Sequence, residues 1–220
     1  MPSRAELRRM RRIERRMNVL LPRVVRRVTN GEPTQPGWLP RRWLTVVSSD
    51  LDLDAGIGAV WVVWRPGSAG AEAYTGLFER CGREWRSTGG GAGSSAGLPA
   101  ERRAVGRSGQ VGMIEFGGGM GGLSRADSLR RHRPELGETS HWVGADEIHV
   151  AAEVDHLLLG ERRIDVPPHG ALIVAWRSPS TSQGGTRPLI VAVGRDGAEL
   201  SRIGPHDSMD SYTWAQLSGE

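Results

Sequence analysis

Six apolar residues follow one another from Ala59 to Trp64, in the run AVWVVWR at 59–65. A strand with one solvated face alternates polar and apolar side chains, so a run of this kind reads as a central strand covered on both faces. Whatever this chain folds into must supply both covers. Residues 171–177 (ALIVAWR) are a second apolar run, and shorter β-rich stretches surround the two at 44–48, 73–78, 83–87, 110–116, 147–154, 163–166, 189–193 and 198–203. Turn residues punctuate them: Pro66-Gly67-Ser68, Leu159-Gly160-Glu161, Pro167-Pro168 and Gly194-Arg195-Asp196-Gly197, the last a strong hairpin signal. Within 147–154 the alternation places Ile148, Val150, Ala152 and Val154 inward and leaves His149 out of phase, a surface position. The expected fold class is mainly β, an antiparallel β-sandwich or barrel-like domain with an N-terminal amphipathic α-helix. Three segments follow: a basic helix over 1–30, a Pro/Gly-rich connector over 31–43 that contains Trp38, and a β-rich domain over 44–220. Inside that domain, 88–97 is almost pure Gly, Ser and Ala and reads as a flexible loop, while 123–132 reads as a short helix.

The first segment differs sharply from the rest. Ten arginines and two glutamates lie between Arg4 and Val28, a local charge of +8 in a chain whose total is +4, so the remaining residues sum to about −4. Ser3 followed by Glu6 has capping-box spacing, and Asn30-Gly31 supplies the stop. On a helical wheel Arg8, Arg9, Arg11, Arg12, Arg15, Arg16, Arg23, Arg26 and Arg27 share one half with Arg4. Met10, Ile13, Met17, Leu20 and Val24 recur at three- and four-residue steps on the other half, the spacing of a packed seam. Pro22 removes a helix hydrogen bond at a cost of about 3 kcal/mol and predicts a kink or two shorter helices. Packing of the stripe on the body or on another copy is the simplest expectation. An acidic protein partner suits the Arg face. Non-specific nucleic acid and an anionic membrane surface are the remaining candidates, since no aromatic residue is interleaved for base stacking and no Trp, Phe or Lys anchors the helix.

Motifs that carry chemistry are weak here. Gly93-Ser94-Ser95-Ala96-Gly97 matches the nucleophile elbow G-x-S-x-G, but it lies in a glycine tract without the βα alternation that makes Ser95 a nucleophile. Gly117, Gly119 and Gly122 match a phosphate-cradling G-x-G-x-x-G within so many glycines that the match is nearly automatic, and they read as a loop. Asp50, Asp52 and Asp54 alternate as at the start of a calcium loop, yet Ala55 stands where that loop needs glycine and Trp61 where it needs a bidentate acid. The same carboxylates suit a strand with acids on one face, or ion pairs with arginines of the arm. The six histidines show no ligand spacing. The eight tryptophans read mostly as core.

Cys81 is the only cysteine, which excludes a disulfide framework and a cysteine-rich zinc site. No run of about 18 apolar residues occurs, and the paired arginines lack the apolar stretch of an export signal, so the expected location is cytoplasmic. Lysine is absent, so every basic side chain is a planar guanidinium. The expected function is a non-enzymatic interaction or adaptor protein without a cofactor. The alternatives are a hydrolase using Ser95 and a divalent-metal β module using Asp50, Asp52 and Asp54.

Overall fold

The computed structural model describes residues 4–94, 102–106, 112–124, 126, 141–179 and 187–219, with backbone alone for 4–14, 94 and 179. Among the described residues, helix α1 (Arg4–Thr29) precedes eleven strands and a short C-terminal helix. The strands are β1 (Leu44–Asp52), β2 (Ile57–Trp64), β3 (Glu72–Cys81), β4 (Glu84–Ser94), β5 (Ile114–Leu123), β6 (His141–Val150), β7 (Val154–Leu159), β8 (Arg162–Asp165), β9 (Ala171–Pro179), β10 (Ile190–Gly194) and β11 (Glu199–Ile203). The closing helix, α2, spans Ser211–Ser218.

The strands form three antiparallel sheets with orders β1-β2-β3-β4, β5-β6-β9 and β11-β10-β7-β8. We call them the outer, middle and far sheets. They stack with α1 in four layers, and none of the described sheets closes into a barrel. The two apolar runs explain the order. In β2, Val60, Val62 and Trp64 face α1, while Ile57, Ala59, Trp61 and Val63 face the middle sheet. In β9, Ala171, Ile173 and Ala175 face the outer sheet, while Leu172 and Val174 face the far one. Both strands are therefore covered on two sides, as their composition demands.

Several sequence expectations are corrected here. The glycine-rich stretch expected to be a loop from residue 88 is strand as far as it is described, because β4 pairs along β3 from Glu72↔Ser94 to Cys81↔Glu84. Residues 117–122 are likewise β5, held by β6 through pairs such as Met120↔Ala145. Glycine's weak strand propensity yields to the ladder of its neighbour. The stretch 147–154 is two strands: β6 stops at Val150 and the chain crosses at 151–153 into β7 of the far sheet. Gly160 and Gly197, at φ of +61° and +81°, make the two hairpins that the sequence marks. The helix expected at 123–132 falls mostly outside the described residues, as does the Ser3 cap.

Pro22 does not divide α1, which is one helix over Arg4–Thr29. Met17, Leu21, Val24 and Val25 are buried against Leu44, Val60, Val62, Tyr74 and Phe78 of the outer sheet. Each such side chain contributes about 1.5–3 kcal/mol of burial, which together outweighs the proline's cost of about 3 kcal/mol. The connector is tied down by Gln35, whose amide donates to the carbonyls of Leu39 (2.9 Å) and Leu44 (3.1 Å) and whose oxygen accepts from the Val46 N–H (2.9 Å). Asp210, fully buried, caps α2 at the Thr213 N–H (3.0 Å) and accepts from the Ile114 N–H (2.9 Å) and the Ser201 hydroxyl (3.0 Å).

Where β1 meets β9, a register shift between Val46 and Ser48 re-aims the strand so that Asp50 points toward the middle sheet. Its carboxylate accepts from the Arg162 guanidinium (2.6 Å) and the Ala175 N–H (2.8 Å), and Arg162 also donates to the Ala175 carbonyl (2.6 Å). One ion pair thus joins β1, β8 and β9, a strand from each sheet. Two stability predictions follow from these contacts. Arg162→Met strands the Asp50 carboxylate and costs about 3–5 kcal/mol in urea unfolding, with partial recovery in D50N/R162M; a loss below about 1 kcal/mol would remove the pin from this role. Met17→Ala costs about 2–4 kcal/mol, and an unchanged melt would mean that α1 does not hold the outer sheet.

Candidate functional site

The surface that combines the most unusual features is α1 and the strand edge beside it. Helix residues near Arg15 to Thr29 lie on the outer sheet, and their exposure divides by face. Arg15, Arg16, Arg23 and Arg26 are exposed, whereas Met17, Leu21, Val24 and Val25 are buried. Of the residues on the expected seam, Met17 and Val24 are buried and Leu20 is half-buried, and Leu21 and Val25 are buried beside them. Met10 and Ile13, with Arg8, Arg9, Arg11 and Arg12, have no described side chains.

The helix arginines differ in engagement. The Arg16 guanidinium lies 5.7 Å from the centre of the Trp64 ring. Arg27 pairs with Glu32 at 2.7 Å and donates to the Pro33 carbonyl at 3.1 Å, which fixes it to the connector. Arg15, Arg23 and Arg26 have no ion pair among the described residues. They form a row of exposed charge on a helix that the core holds in place.

Beside this row lies a groove of about 750 Å³ between α1 and strands β3 and β4. Met17, Asn18 and Leu21 line its helix side. Gly76, Tyr74, Ser87, Gly90 and Ala92 line its sheet side, with Ala69, Gly70 and Ala71 at one end. The hollow exists because Gly76 and Gly90 are paired across the ladder and neither carries a side chain. A Cβ on Gly76 would meet Leu21 at 2.9 Å, so glycine there is what lets the helix sit so low. Tyr74 donates its hydroxyl to Glu72 at the groove's end. Composition marks the glycine stretch but not its strand state, so the sequence pointed to a loop and the groove was not legible.

The other candidate residues fall elsewhere. Ser95 lies outside the described residues. Gly117, Gly119 and Gly122 belong to β5 and form no loop. Asp50 is held by Arg162, Asp52 accepts from the Ala55 N–H (2.8 Å) and lies 3.5 Å from Arg162 Nε, and Asp54 is exposed in the turn after β1. Arg162 comes from β8, not from the N-terminal arm. Among the described residues no three His, Cys, Asp or Glu side chains converge in a way that holds a metal ion. The expectation that the eight tryptophans are mostly core is corrected: Trp61, Trp64 and Trp176 are buried, Trp85 and Trp142 are half-buried, and Trp38, Trp43 and Trp214 are about half exposed or more. Trp43 packs edge-on against Trp64, with ring centres 6.4 Å apart.

Two buried titrating regions frame the middle sheet. Burial raises the Asp146 carboxyl above its ordinary value despite a 2.9 Å bond from the Trp176 indole and the nearby Arg187. Burial raises Asp50 as well, against the pull of Arg162 and the Ala175 N–H. His149 is half-buried rather than exposed: its ring stands perpendicular to Trp61 at 5.6 Å. Burial lowers its pKa from 6.5 although Glu115 and Glu147 pull upward, and burial together with His149 lowers that of His169.

No protein-family model matches the chain, no curated protein matches it, and no solved structure matches it. No helix among the described residues is long and apolar enough to cross a membrane.

The histidines give a pH prediction. A folded-state pKa below the unfolded value means that the unfolded chain binds the proton more tightly, so this contribution is lost as pH falls below about 6.5. Asp50 and Asp146 act in the opposite sense, favouring the folded state more as pH falls toward the ordinary carboxylate range. Thermal melts of wild type and His149→Phe between about pH 7.5 and 5 should therefore diverge, the variant losing less stability on acidification. Parallel curves would show that His149 does not carry the effect.

Proposed function

We propose that this protein is a non-enzymatic interaction protein that presents the Arg face of α1 to an acidic protein partner. The observation that carries the reading is the division of one helix: Met17, Leu21, Val24 and Val25 are buried on the outer sheet, while Arg15, Arg23 and Arg26 stay exposed. A helix whose apolar face is satisfied by its own body cannot roll to bury its charges. It offers them in a fixed array, with little ordering to lose on binding. Burial of Met17 and Val24 within the chain also favours a foreign partner over self-association through that part of the stripe. The grip of Arg162 on Asp50 weighs against the metal-module alternative.

Guanidinium groups bind carboxylates in a bidentate fashion, and an acidic protein surface provides them in clusters. The charge of the arm, ten arginines against two acids between Arg4 and Val28, promotes encounter with such a surface and makes the association sensitive to salt. A mildly acidic body keeps the rest of the molecule from competing for the same partner.

The test is titration of the full chain with labelled poly-glutamate, duplex DNA and phosphatidylserine vesicles at low and high salt. Poly-glutamate is expected to bind at low salt. The triple variant R15E/R23E/R26E should weaken it about tenfold or more, since three exposed pairs at roughly 0.5 kcal/mol each sum to that factor. Unchanged affinity in the variant, or preference for DNA or vesicles over poly-glutamate, would overturn the acidic-protein reading.

A further inference from the structure

We propose that β4 and the flank of α1 form a receptor for an extended acidic peptide, which adds to the outer sheet as a fifth strand. The choice of charge rests on the function proposed above; the site itself rests on separate observations.

The first is an open edge. β4 ends the order β1-β2-β3-β4, and among the described residues no strand pairs with its other side. Residues 90–93 are exposed. Such an edge presents a row of backbone donors and acceptors that an incoming strand satisfies.

The second is the glycine content. Gly89, Gly90, Gly91 and Gly93 lie in one strand, and each weakens it by about 0.5–1 kcal/mol relative to alanine. The fold does not require all of them. A Cβ on Gly89 or Gly93 would meet nothing within 4 Å, and both have ordinary negative φ. Glycine kept in a strand where the chain's own packing has room for a side chain is what close approach of another backbone demands.

The third is the hollow. The groove of about 750 Å³ opens between this strand and the helix, over Gly76, Gly90 and Ala92 and under Met17 and Leu21. Alternate side chains of an added strand project to the same face, so every second residue of the peptide enters beneath α1. The lining at Met17 and Leu21 selects apolar side chains at those positions.

Charge decides the occupant. A second copy pairing β4 to β4 about a two-fold axis would bring two α1 arms to the same face, each carrying ten arginines against two acids. Those like charges oppose it. An acidic peptide is attracted instead, and exposed Arg15 stands one turn before Asn18, which lines the groove. The carboxylate of Glu72 at the groove's end already accepts the Tyr74 hydroxyl. The ligand class is therefore an extended segment of a protein, with small or β-branched apolar residues at alternate positions and acidic residues flanking them.

The experiment uses the full chain and the fluorescein-labelled peptide Asp-Asp-Val-Thr-Val-Thr-Val-Ser, with poly-glutamate as the parallel ligand. Ala92→Trp and Ser87→Trp each place an indole in the groove from an exposed position, and thermal melts confirm which of them folds. The expected result is at least a tenfold loss of peptide affinity in a folded groove variant, unchanged poly-glutamate binding, and slowed amide exchange at residues 89–93 when peptide is bound. Peptide binding that survives both tryptophans, or that leaves those amides unprotected, overturns the receptor while leaving the Arg-face reading intact. Peptide binding lost in the groove variants but indifferent to R15E/R23E/R26E keeps the receptor and removes its acidic selectivity. Sedimentation of the free chain as a dimer that Ala92→Trp splits would replace the peptide with a second copy.

Discussion

One carboxylate and one guanidinium hold a strand of each sheet to the other two. Asp50 comes from β1, Arg162 from β8, and the backbone they share belongs to Ala175 of β9. The pair acts as more than an ion pair, because it also satisfies both polar groups of Ala175 on the edge of the middle sheet. Buried pairs are weak sources of net stability compared with apolar packing, but they are strict about geometry. Here the geometry includes the register shift in β1, without which Asp50 would face α1. The pair thereby ties all three ladders together at one point of the stack.

The opposite side of the sandwich is built by different means. There β4 and β5 lie close together, and a Cβ on Gly91 would come within 3.4 Å of the Met120 side chain. Glycine brings the sheets together at this side, while charge joins them at the other. Similar economy appears in the middle sheet, where Gly144 leaves room for the Trp176 ring, whose indole satisfies buried Asp146. Small residues in this chain are spaces reserved for particular neighbours.

Much of the architecture was legible in residue order. The apolar runs at 59–65 and 171–177 marked strands covered on both sides, and the glycines at 160 and 197 marked hairpins, because these signals act over a few residues. The N-terminal helix was legible for the same reason, although the buried residues of its described part include Leu21 and Val25 as well as Met17 and Val24. What was not legible depends on distant partners. Strand state at 89–94 and 117–122 is imposed by β3 and β6 against local preference. The partner of Asp50 lies 112 residues away, and nothing near either residue announces the other. His149 read as exposed because alternation identifies a face but not the sheet that later covers it.

The position of α1 in the chain has a consequence for the order of assembly. The helix is synthesised before the strands that cover it, and the surface that buries Met17 and Val25 is complete only when β4 has been made. Until then the nascent segment carries an unsatisfied apolar stripe, and its density of positive charge is what keeps it apart from other copies of itself. Charge that stays exposed on the finished helix thus acts as a chaperone for the unfinished chain. The final lock, Arg162 onto Asp50, waits until a further stretch of chain has emerged, so no early fragment can bury that carboxylate with its partner.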